Sequence, residues 1–226
     1  ETAGNVTLIL AGVMLNCAHS APIYVKQADL VTFVLKEGTE NTVTDGDQYT
    51  YPDGQTEPDA AIFSECDLIF TGTGTLTVNA NHAQGIMTKD DLTFESGTYT
   101  IRAATHGIKG KDRLYVNGGV FQITATVDGM KATNVKDSDK GKVELRGGSI
   151  DIVCGDDGIS AVTKILITGG TLNINTRNNG LKSENLIDIQ SGQVTIKTDD
   201  KGLVCQTKTG SDQAKVTVNG VSVTFQ

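Results

Sequence analysis

The sequence predicts an all-β protein, a right-handed single-stranded parallel β-helix with about 22 residues per coil. The first observation is a glycine that recurs at spacings of 22, 22, 29, 22 and 22 residues, so that one repeat carries an insertion of seven. The members of this series are Gly85, Gly107, Gly129, Gly158, Gly180 and Gly202. The second observation is a period-two alternation of apolar and polar residues within each repeat, which is typical of strands with one face inward.

The first coils, over residues 5–60, are predicted to be less regular than the rest. Asn5 to Leu15 and Ile23 to Leu35 have strand patterns, whereas 45–59 is predicted to be a surface loop. Five acidic residues and no Lys or Arg lie in this loop: Asp45, Asp47, Asp53, Glu57 and Asp59. The regular coils are expected over 61–226, and the whole chain, 1–226, is expected to form one domain. We expect about eight to ten coils.

One coil is predicted to contain three short strands separated by turns. Gly-Gly and Ser-Gly pairs mark the sharp corners, where a residue without Cβ can take a positive φ. Five inward rows follow from the alignment of the repeats. They are Leu92, Leu114, Val143, Ile165 and Ile187; Phe94, Val116, Leu145, Ile167 and Ile189; Ile101, Ile123, Ile152, Ile174 and Ile196; Ala103, Ala125, Cys154, Thr176 and Thr198; and Thr88, Gly110, Ala132, Ala161, Ser183 and Cys205.

The charge and apolar content of the chain restrict the classes of partner it can bind. A net charge of −8 disfavours nucleic acid and anionic membranes, and no run of 18 apolar residues predicts a membrane span. The chain begins at Glu1, and we expect a mature or trimmed fragment. The cysteines show no C-x-x-C spacing. Cys154 and Cys205 are expected to be reduced and buried, the alternative being a disulfide between them.

The turn before each recurring glycine is rich in Asp and Asn. Stacking would bring these turns about 5 Å apart per coil, close enough for their oxygens to converge on Ca²⁺. The candidate ligands there are Asp128, Asp156, Asp157, Asn178, Asn179, Asp199 and Asp200. A second candidate group lies in the acidic loop: Asp45, Asp47, Glu57 and Asp59. The alternative is that Asp and Asn are there only because they favour turns.

Carbohydrate contacts are predicted on the outer side of the coils. Lys109, Lys131 and Lys182 form an outward row, and Asp112 and Asn134 belong to a row beside it. Lysines beside acids could bind a sugar carboxylate and its neighbouring hydroxyls. The alternatives are an ordinary solvated charge pattern for the lysines and a structural ladder for Asp112 and Asn134. Aromatic candidates for sugar stacking are Tyr115, Tyr49 and Tyr51.

Several sequence segments resemble those of a known protein family. They include His106-Gly-Ile-Lys-Gly-Lys-Asp112, Asp128-Gly-Met-Lys-Ala-Thr-Asn134, Gly155-Asp-Asp-Gly-Ile-Ser-Ala161, Gly38-Thr-Glu-Asn41 and Glu57-Pro-Asp-Ala-Ala-Ile-Phe-Ser64. Together they resemble a family of secreted bacterial carbohydrate-binding proteins with a right-handed parallel β-helix similar to that of pectate lyases. The resemblance implies a secreted or cell-surface location, bound Ca²⁺, and binding to plant polysaccharides such as cellulose and polygalacturonate.

Three functions are compatible with the sequence. The first is a non-catalytic, calcium-containing carbohydrate-binding protein, acting as a monomer or as part of a larger surface protein. The second is a lyase on acidic polysaccharide, which would need a Lys or Arg base beside Ca²⁺. Only Lys109, Lys131 and Lys182 are stacked candidates for that base, and none stands out. The third is a structural solenoid of a surface protein or adhesin.

Overall fold

The computed structural model describes residues 2–206, 214–219 and 223–225, and every regular element in them is a β-strand. The strands pair in parallel and form two sheets, one of sixteen strands and one of eight. This arrangement is a β-helix-like solenoid, in agreement with the all-β class predicted from the sequence. In the described ranges no helix is long and apolar enough to cross a membrane.

Each coil contributes one strand to each of three stacks. The eight-stranded sheet contains β3 (Ile23–Val25), β6 (Ala60–Ser64), β9 (Gln84–Thr88), β12 (Ile108–Gly110), β15 (Met130–Ala132), β18 (Ile159–Ala161), β20 (Leu181–Ser183) and β22 (Leu203–Cys205).

The sixteen-stranded sheet contains the other two stacks. One stack is β1 (Asn5–Leu10), β4 (Leu30–Leu35), β7 (Asp67–Gly72), β10 (Asp91–Phe94), β13 (Arg113–Val116) and β16 (Lys142–Leu145), followed by the first halves of β19 (Lys164–Thr176) and β21 (Leu186–Thr198), and by β23 (Lys215–Val218). The other is β2 (Met14–Cys17), β5 (Glu40–Asp45), β8 (Thr75–Ala80), β11 (Thr98–Ala103), β14 (Val120–Ala125) and β17 (Ser149–Cys154), followed by the second halves of β19 and β21, and by β24 (Val223–Phe225). The long strands β19 and β21 run through the corner that separates the two stacks.

The strand registers confirm the predicted interior rows. One column pairs in parallel from coil to coil and is buried throughout: Ile101, Ile123, Ile152, Ile174 and Ile196. The row that contains Cys154 and the row that ends at Cys205 also follow the predicted pairing. In the earlier coils Phe33, Phe70 and Phe94 stack face to face, with ring centroids 4.7 and 5.1 Å apart. The core is therefore a set of columns, in which each side chain packs on its equivalent in the next coil.

Close packing explains the recurring glycine. A Cβ on Gly129 would lie 2.4 Å from Cγ2 of Ile152 and 2.7 Å from the carbonyl oxygen of Gly158. The same two contacts recur at Gly107, where they involve Ile123 and the carbonyl of Gly129. Only glycine lets the turn approach both the isoleucine column and the neighbouring coil. The corner glycines differ, because they have positive φ values, as at Gly170 (φ 86°).

The first coils are more regular than the sequence predicts. β1 and β4 pair over six residues, and β3 pairs with β6 in the same register as later coils. The stretch predicted as a strand from Ile23 to Leu35 is two strands, β3 and β4, which belong to different sheets. The irregular part is 46–59, which interrupts the coil between β5 and β6. The prediction of a surface loop is wrong for Asp45, because this residue is the last of β5 and is buried.

The outer face of the eight-stranded sheet is partly covered in these coils. Phe63 and Met87 lie in the outward row that continues to Lys109, yet both are buried. Ala60 and Ala21 pack with them in a small apolar cluster of their own. The end of the acidic loop runs into Ala60, so the loop is anchored beside a second core outside the solenoid. The sequence alignment does not reveal this cluster.

Cys154 and Cys205 are free, as predicted, and Cys154 is buried. The prediction that Cys205 is buried is wrong, because this residue is half-buried. Its strand, β22, is the edge strand of the eight-stranded sheet, so no further strand of that sheet covers it among the described residues.

Candidate functional site

The turns before the recurring glycines lie on top of one another and are linked by hydrogen bonds. The amide of Gly129 donates to the carbonyl of Asp157 at 3.1 Å, and the amide of Gly158 donates to that of Asn179 at 2.8 Å. The Asp157 amide donates to Oδ1 of Asp128 at 3.1 Å, and the Asn179 amide donates to Oδ1 of Asp157 at 3.3 Å. Each acidic side chain therefore caps a main-chain donor of the next coil.

Asp128 is completely buried at the centre of this ladder. Its Oδ2 accepts a hydrogen bond from Nζ of Lys131 at 2.6 Å and lies 3.3 Å from Nδ1 of His106. Burial acts to raise the pKa of Asp128, but the hydrogen bonds from His106 and Lys131 outweigh it, and the pKa lies below its ordinary value. His106 was not among the predicted site residues. It precedes Gly107 as Asp128 precedes Gly129, and that shared position is the signal that could have identified it.

Asp157, on the next coil, is also buried. Its Oδ2 accepts from Nζ of Lys182 at 2.8 Å, and its Oδ1 accepts from the side-chain amides of Asn178 at 3.1 Å and Asn179 at 2.7 Å. Asn178 also donates to Oδ1 of Asp156 at 2.6 Å. The hydrogen bond to Asp157 raises the pKa of Lys182, which holds this lysine in its ammonium form. The two asparagines serve here as donors to the acids.

Three of the predicted metal ligands converge. One carboxylate oxygen from each of Asp128, Asp156 and Asp157 lies within 4.8 Å of the other two. Carboxylate oxygens are the ligands that Ca²⁺ takes, so the chemistry of this donor set fits that ion. Lys131 and Lys182 now supply the counter-charge, and a bound cation would replace their ammonium groups in that role.

The remaining turn acids lie apart from this group. Asp199 and Asp200 are both exposed, and Oδ1 of Asp200 accepts from Nζ of Lys201 at 2.8 Å. The structure therefore does not bring these two predicted ligands into the group formed by Asp128, Asp156 and Asp157.

The acids of the 45–59 loop do not converge either. Each of the four candidate ligands is engaged by a different partner: Tyr49 for Asp45, Lys89 for Glu57, Gln84 for Asp59 and, through its main-chain carbonyl, His82 for Asp47. Within the described part of the chain, three metal-ligating groups come together only at Asp128, Asp156 and Asp157. The loop acids hold the loop in place instead.

The predicted lysine row lies on the outer face of the eight-stranded sheet, with Lys131 paired to Ser160 and Ser160 to Lys182. A groove of about 630 Å³ opens here. We call it the lysine groove, and define it by Lys131, Ser160, Lys182, Asp156 and Asp157. It places two cations along one track with Asp156 and Asp157, which are two of the three converging acids.

The prediction that all three lysines are exposed is only partly correct. Lys182 is exposed, whereas Lys131 and Lys109 are half-buried. Lys131 is drawn toward Asp128 by their ion pair. Lys109 pairs with the buried Met87 in the neighbouring strand and forms no ion pair among the described residues. Burial lowers the pKa of Lys109, and the nearby Asp59 only partly opposes this shift.

The second predicted carbohydrate row is structural where the structure describes it. Asp112 is buried, and it accepts hydrogen bonds from the side chains of Asn134 and Lys140. Asn134 in turn accepts from the amide of Lys136 at 2.8 Å, at the start of the seven-residue insertion. These contacts correspond to the ladder alternative, and they leave Asp112 without a surface for sugar.

The three candidate tyrosines are engaged within the protein. The guanidinium of Arg146 lies 4.8 Å above the ring of Tyr115. Tyr49 stacks on His82 with ring centroids 4.0 Å apart, and the hydroxyl of Tyr51 lies 3.0 Å from Nε2 of His82. The tyrosines therefore do not form an aromatic platform, and the lysine groove is the strongest candidate site.

This chain is similar to known proteins in sequence and in fold. A family model described as carbohydrate-binding domain-containing protein matches residues 1–225. A carbohydrate-binding domain-containing protein of Acetivibrio thermocellus is 48% identical over 159 residues, which are 70% of this chain and 56% of that protein. The chain thus matches little more than half of the relative's length. A solved polysaccharide lyase-like protein from C. thermocellum, a gadolinium derivative, is 30% identical with a TM-score of 0.79, covering 98% of this chain and 78% of that one.

Proposed function

Since the chain belongs to the family of carbohydrate-binding domain-containing proteins, we propose that it is a non-catalytic, calcium-containing module that binds plant-type polysaccharide at the lysine groove. The observation that carries this proposal is the convergence of Asp128, Asp156 and Asp157 beside a groove that holds two lysines. We further propose a secreted or cell-surface location and the right-handed winding that parallel crossovers favour. The rows that pair at intervals of 22 residues support coils of that length.

The metal is proposed to bind the three aspartates. Ca²⁺ takes six to eight oxygen ligands, and carboxylates are among those it prefers. The related solved structure is a gadolinium derivative, and gadolinium is a hard cation that also takes oxygen ligands. A gadolinium derivative of the related protein supports a cation site in this fold. When bound, the ion would neutralise the acids and leave Lys131 and Lys182 beside the groove without carboxylate partners.

Acidic polysaccharide is the ligand that such lysines suit. The ammonium groups can pair with uronate carboxylates, while Ser160 offers a hydroxyl to neighbouring sugar hydroxyls. Because the ion and the lysines use the same carboxylates, calcium would increase the positive charge available to the ligand. Calcium binding and acidic-glycan binding are therefore proposed to reinforce each other, with equal coupling in both directions.

The absence of catalysis is proposed from the family, which is described by carbohydrate binding. A general base must be unprotonated near the working pH. Without calcium, Lys131 and Lys182 are each held in an ion pair with an aspartate. The related structure is described as polysaccharide lyase-like, and one observation favours that second candidate function. Burial lowers the pKa of Lys109, so this lysine is the remaining candidate base.

Two assays on one sample test the proposal. The protein is incubated with polygalacturonate in calcium, the bound fraction is measured by pull-down, and the supernatant is assayed for unsaturated products. We expect binding without product. Product formation that is lost in Lys109→Ala would show a lyase, and failure to bind any polysaccharide would leave the structural-solenoid alternative.

A further inference from the structure

A second polar surface lies on the sixteen-stranded sheet, whereas the lysine groove lies on the eight-stranded sheet. In β14, β17, β19 and β21, the outward residues Thr124, Val153, Asn175 and Lys197 pair in succession. All four are exposed. Asn173 lies two residues before Asn175 on the same face of β19 and is also exposed. These side chains are repeated at the coil spacing, about 4.8 Å.

This surface is concave. Two grooves of about 450 and 230 Å³ lie on it, and both are lined by Val153 and Asn175. Because they share these residues, they adjoin and form one track that crosses four coils. We call this track the amide groove, and define it by Thr124, Val153, Asn173, Asn175, Arg177 and Lys197.

The charges of the amide groove balance. Arg177 and Lys197 line it, and so do Asp199 and Asp151. In the described ranges neither of the two cations forms an ion pair, in contrast to Lys131 and Lys182 of the lysine groove. The two carboxylates offset the two cations, and among the described residues no acids converge here on a metal that would leave the cations in excess.

The groove has the donors, acceptors and apolar surface that sugar hydroxyls and sugar C–H groups require. The Asn173 amide donates to Oδ1 of Asp151 at 2.7 Å, which fixes the orientation of both side chains before a ligand arrives. Each retains a further oxygen for hydrogen bonding. Val153, 52% exposed, provides an apolar contact in the middle of the track.

We propose that the amide groove binds an uncharged polysaccharide chain, and that it does so independently of the lysine groove. The proposal rests on the proposed carbohydrate-binding function, and it adds a second site with a different ligand class. An acidic chain would use the lysine groove, and a neutral chain would use the amide groove. The two ligands would then bind without competing.

Affinity electrophoresis tests this with two gels, one containing soluble mixed-linkage β-glucan and the other containing polygalacturonate, both with calcium. The variant is Asn173→Ala/Asn175→Ala, and the matched control is Lys131→Ala/Lys182→Ala. Losing two hydrogen-bonding groups is expected to weaken β-glucan binding roughly tenfold while polygalacturonate binding changes less than about twofold. The control is expected to show the reverse pattern.

Val153→Glu is a second variant on the same surface, and it is expected to weaken β-glucan binding without removing an amide. Circular dichroism and melting curves check that each variant is folded. Unchanged β-glucan binding in both amide-groove variants overturns the inference, as does displacement of β-glucan by oligogalacturonate. If the wild type binds polygalacturonate and not β-glucan, only this inference fails. If it binds neither, the proposed function fails with it.

Discussion

At the scale of single residues, the buried acids around the lysine groove form ion pairs with its lysines. Asp128 and Asp157 are buried. Each forms an ion pair with a lysine and accepts a hydrogen bond from a main-chain amide of the next coil. A buried carboxylate without such partners would cost several kcal/mol, roughly 3–5 when one partner of a pair is removed. These aspartates therefore have a structural role that is present whether or not a metal binds.

Acid is expected to remove the contribution of Asp128 to stability. Its pKa is lower in the folded protein than in the unfolded chain, so the contribution is complete above about pH 4. It declines as the pH falls through the folded-state pKa. Asp128→Asn should lower the free energy of unfolding by about 1–3 kcal/mol at pH 7, with a smaller difference from wild type near pH 2.

Urea unfolding of both proteins at each pH measures this difference. Subtracting the wild-type and variant curves cancels the contributions of the other carboxyl groups to the pH dependence of stability. These groups include Asp90 and Asp91, whose pKa values are raised by burial, so that their ionisation lowers stability as the pH rises. A difference that does not change between pH 7 and pH 2 would contradict the assignment.

The recurring glycine gives a second prediction at this scale. Gly129→Ala places a methyl group against Ile152 and the carbonyl of Gly158, and we expect a loss of about 1–3 kcal/mol in the free energy of unfolding. Adding Ile152→Ala should make the double variant less destabilised than the sum of the single variants, because one of the two clashes is removed. Strict additivity in chemical denaturation would contradict close packing as the reason for this glycine.

At the scale of elements, the coils could be predicted and the loop contacts could not. The inward rows repeat along the chain, so a constant spacing was enough to place Ile101 above Ile123. Phe63 and Met87 occupy outward positions of the alternating pattern. Their burial arises from packing outside the solenoid, which the sequence period does not indicate. In the same way, spacing placed Lys131 and Asp128 near one another but did not show that they form an ion pair.

The 45–59 loop is expected to stabilise the first coils. Replacing residues 47–57 by a short Gly-Ser linker removes Glu57 from Lys89, whose ammonium lies 5.7 Å from the ring centroid of Phe63, and removes the Tyr49 and Tyr51 rings that pack on His82. Losing this packing around Phe63 and His82 should cost about 2–5 kcal/mol and increase binding of a hydrophobic dye.

Differential scanning calorimetry and dye fluorescence test this prediction. A matched replacement of the exposed insertion residues 135–139 provides the control, and it should cost less than about 1 kcal/mol. Equal effects of the two replacements would mean that the acidic loop is only a connection.

At the scale of the whole molecule, a net charge of −8 accompanies a group of three converging acids. The sequence predicted acids at the turns, but spacing alone could not separate Asp156 and Asp157 from the exposed Asp199 and Asp200. Their different surroundings depend on the neighbouring coil, where Asn178 and Asn179 donate to the first pair.

Calcium is expected to raise the melting temperature. At a free concentration one hundred times Kd, binding to the native state adds about 2.7 kcal/mol, which corresponds to roughly 5–10 °C for a chain of this size. Asp157→Ala should reduce the difference between calcium and chelator, whereas Asp199→Ala should keep it. Identical melting curves of the wild type in calcium and in chelator would contradict the metal site.

The most direct test is isothermal titration calorimetry of oligogalacturonate into the wild-type protein, first in calcium and then in chelator. The account predicts saturable binding in calcium and at least about fivefold weaker binding in chelator, because the lysines then return to their carboxylates. Saturable binding of equal strength in both buffers would contradict the coupling between the metal and the lysine groove. The absence of any binding in calcium would contradict the proposed function.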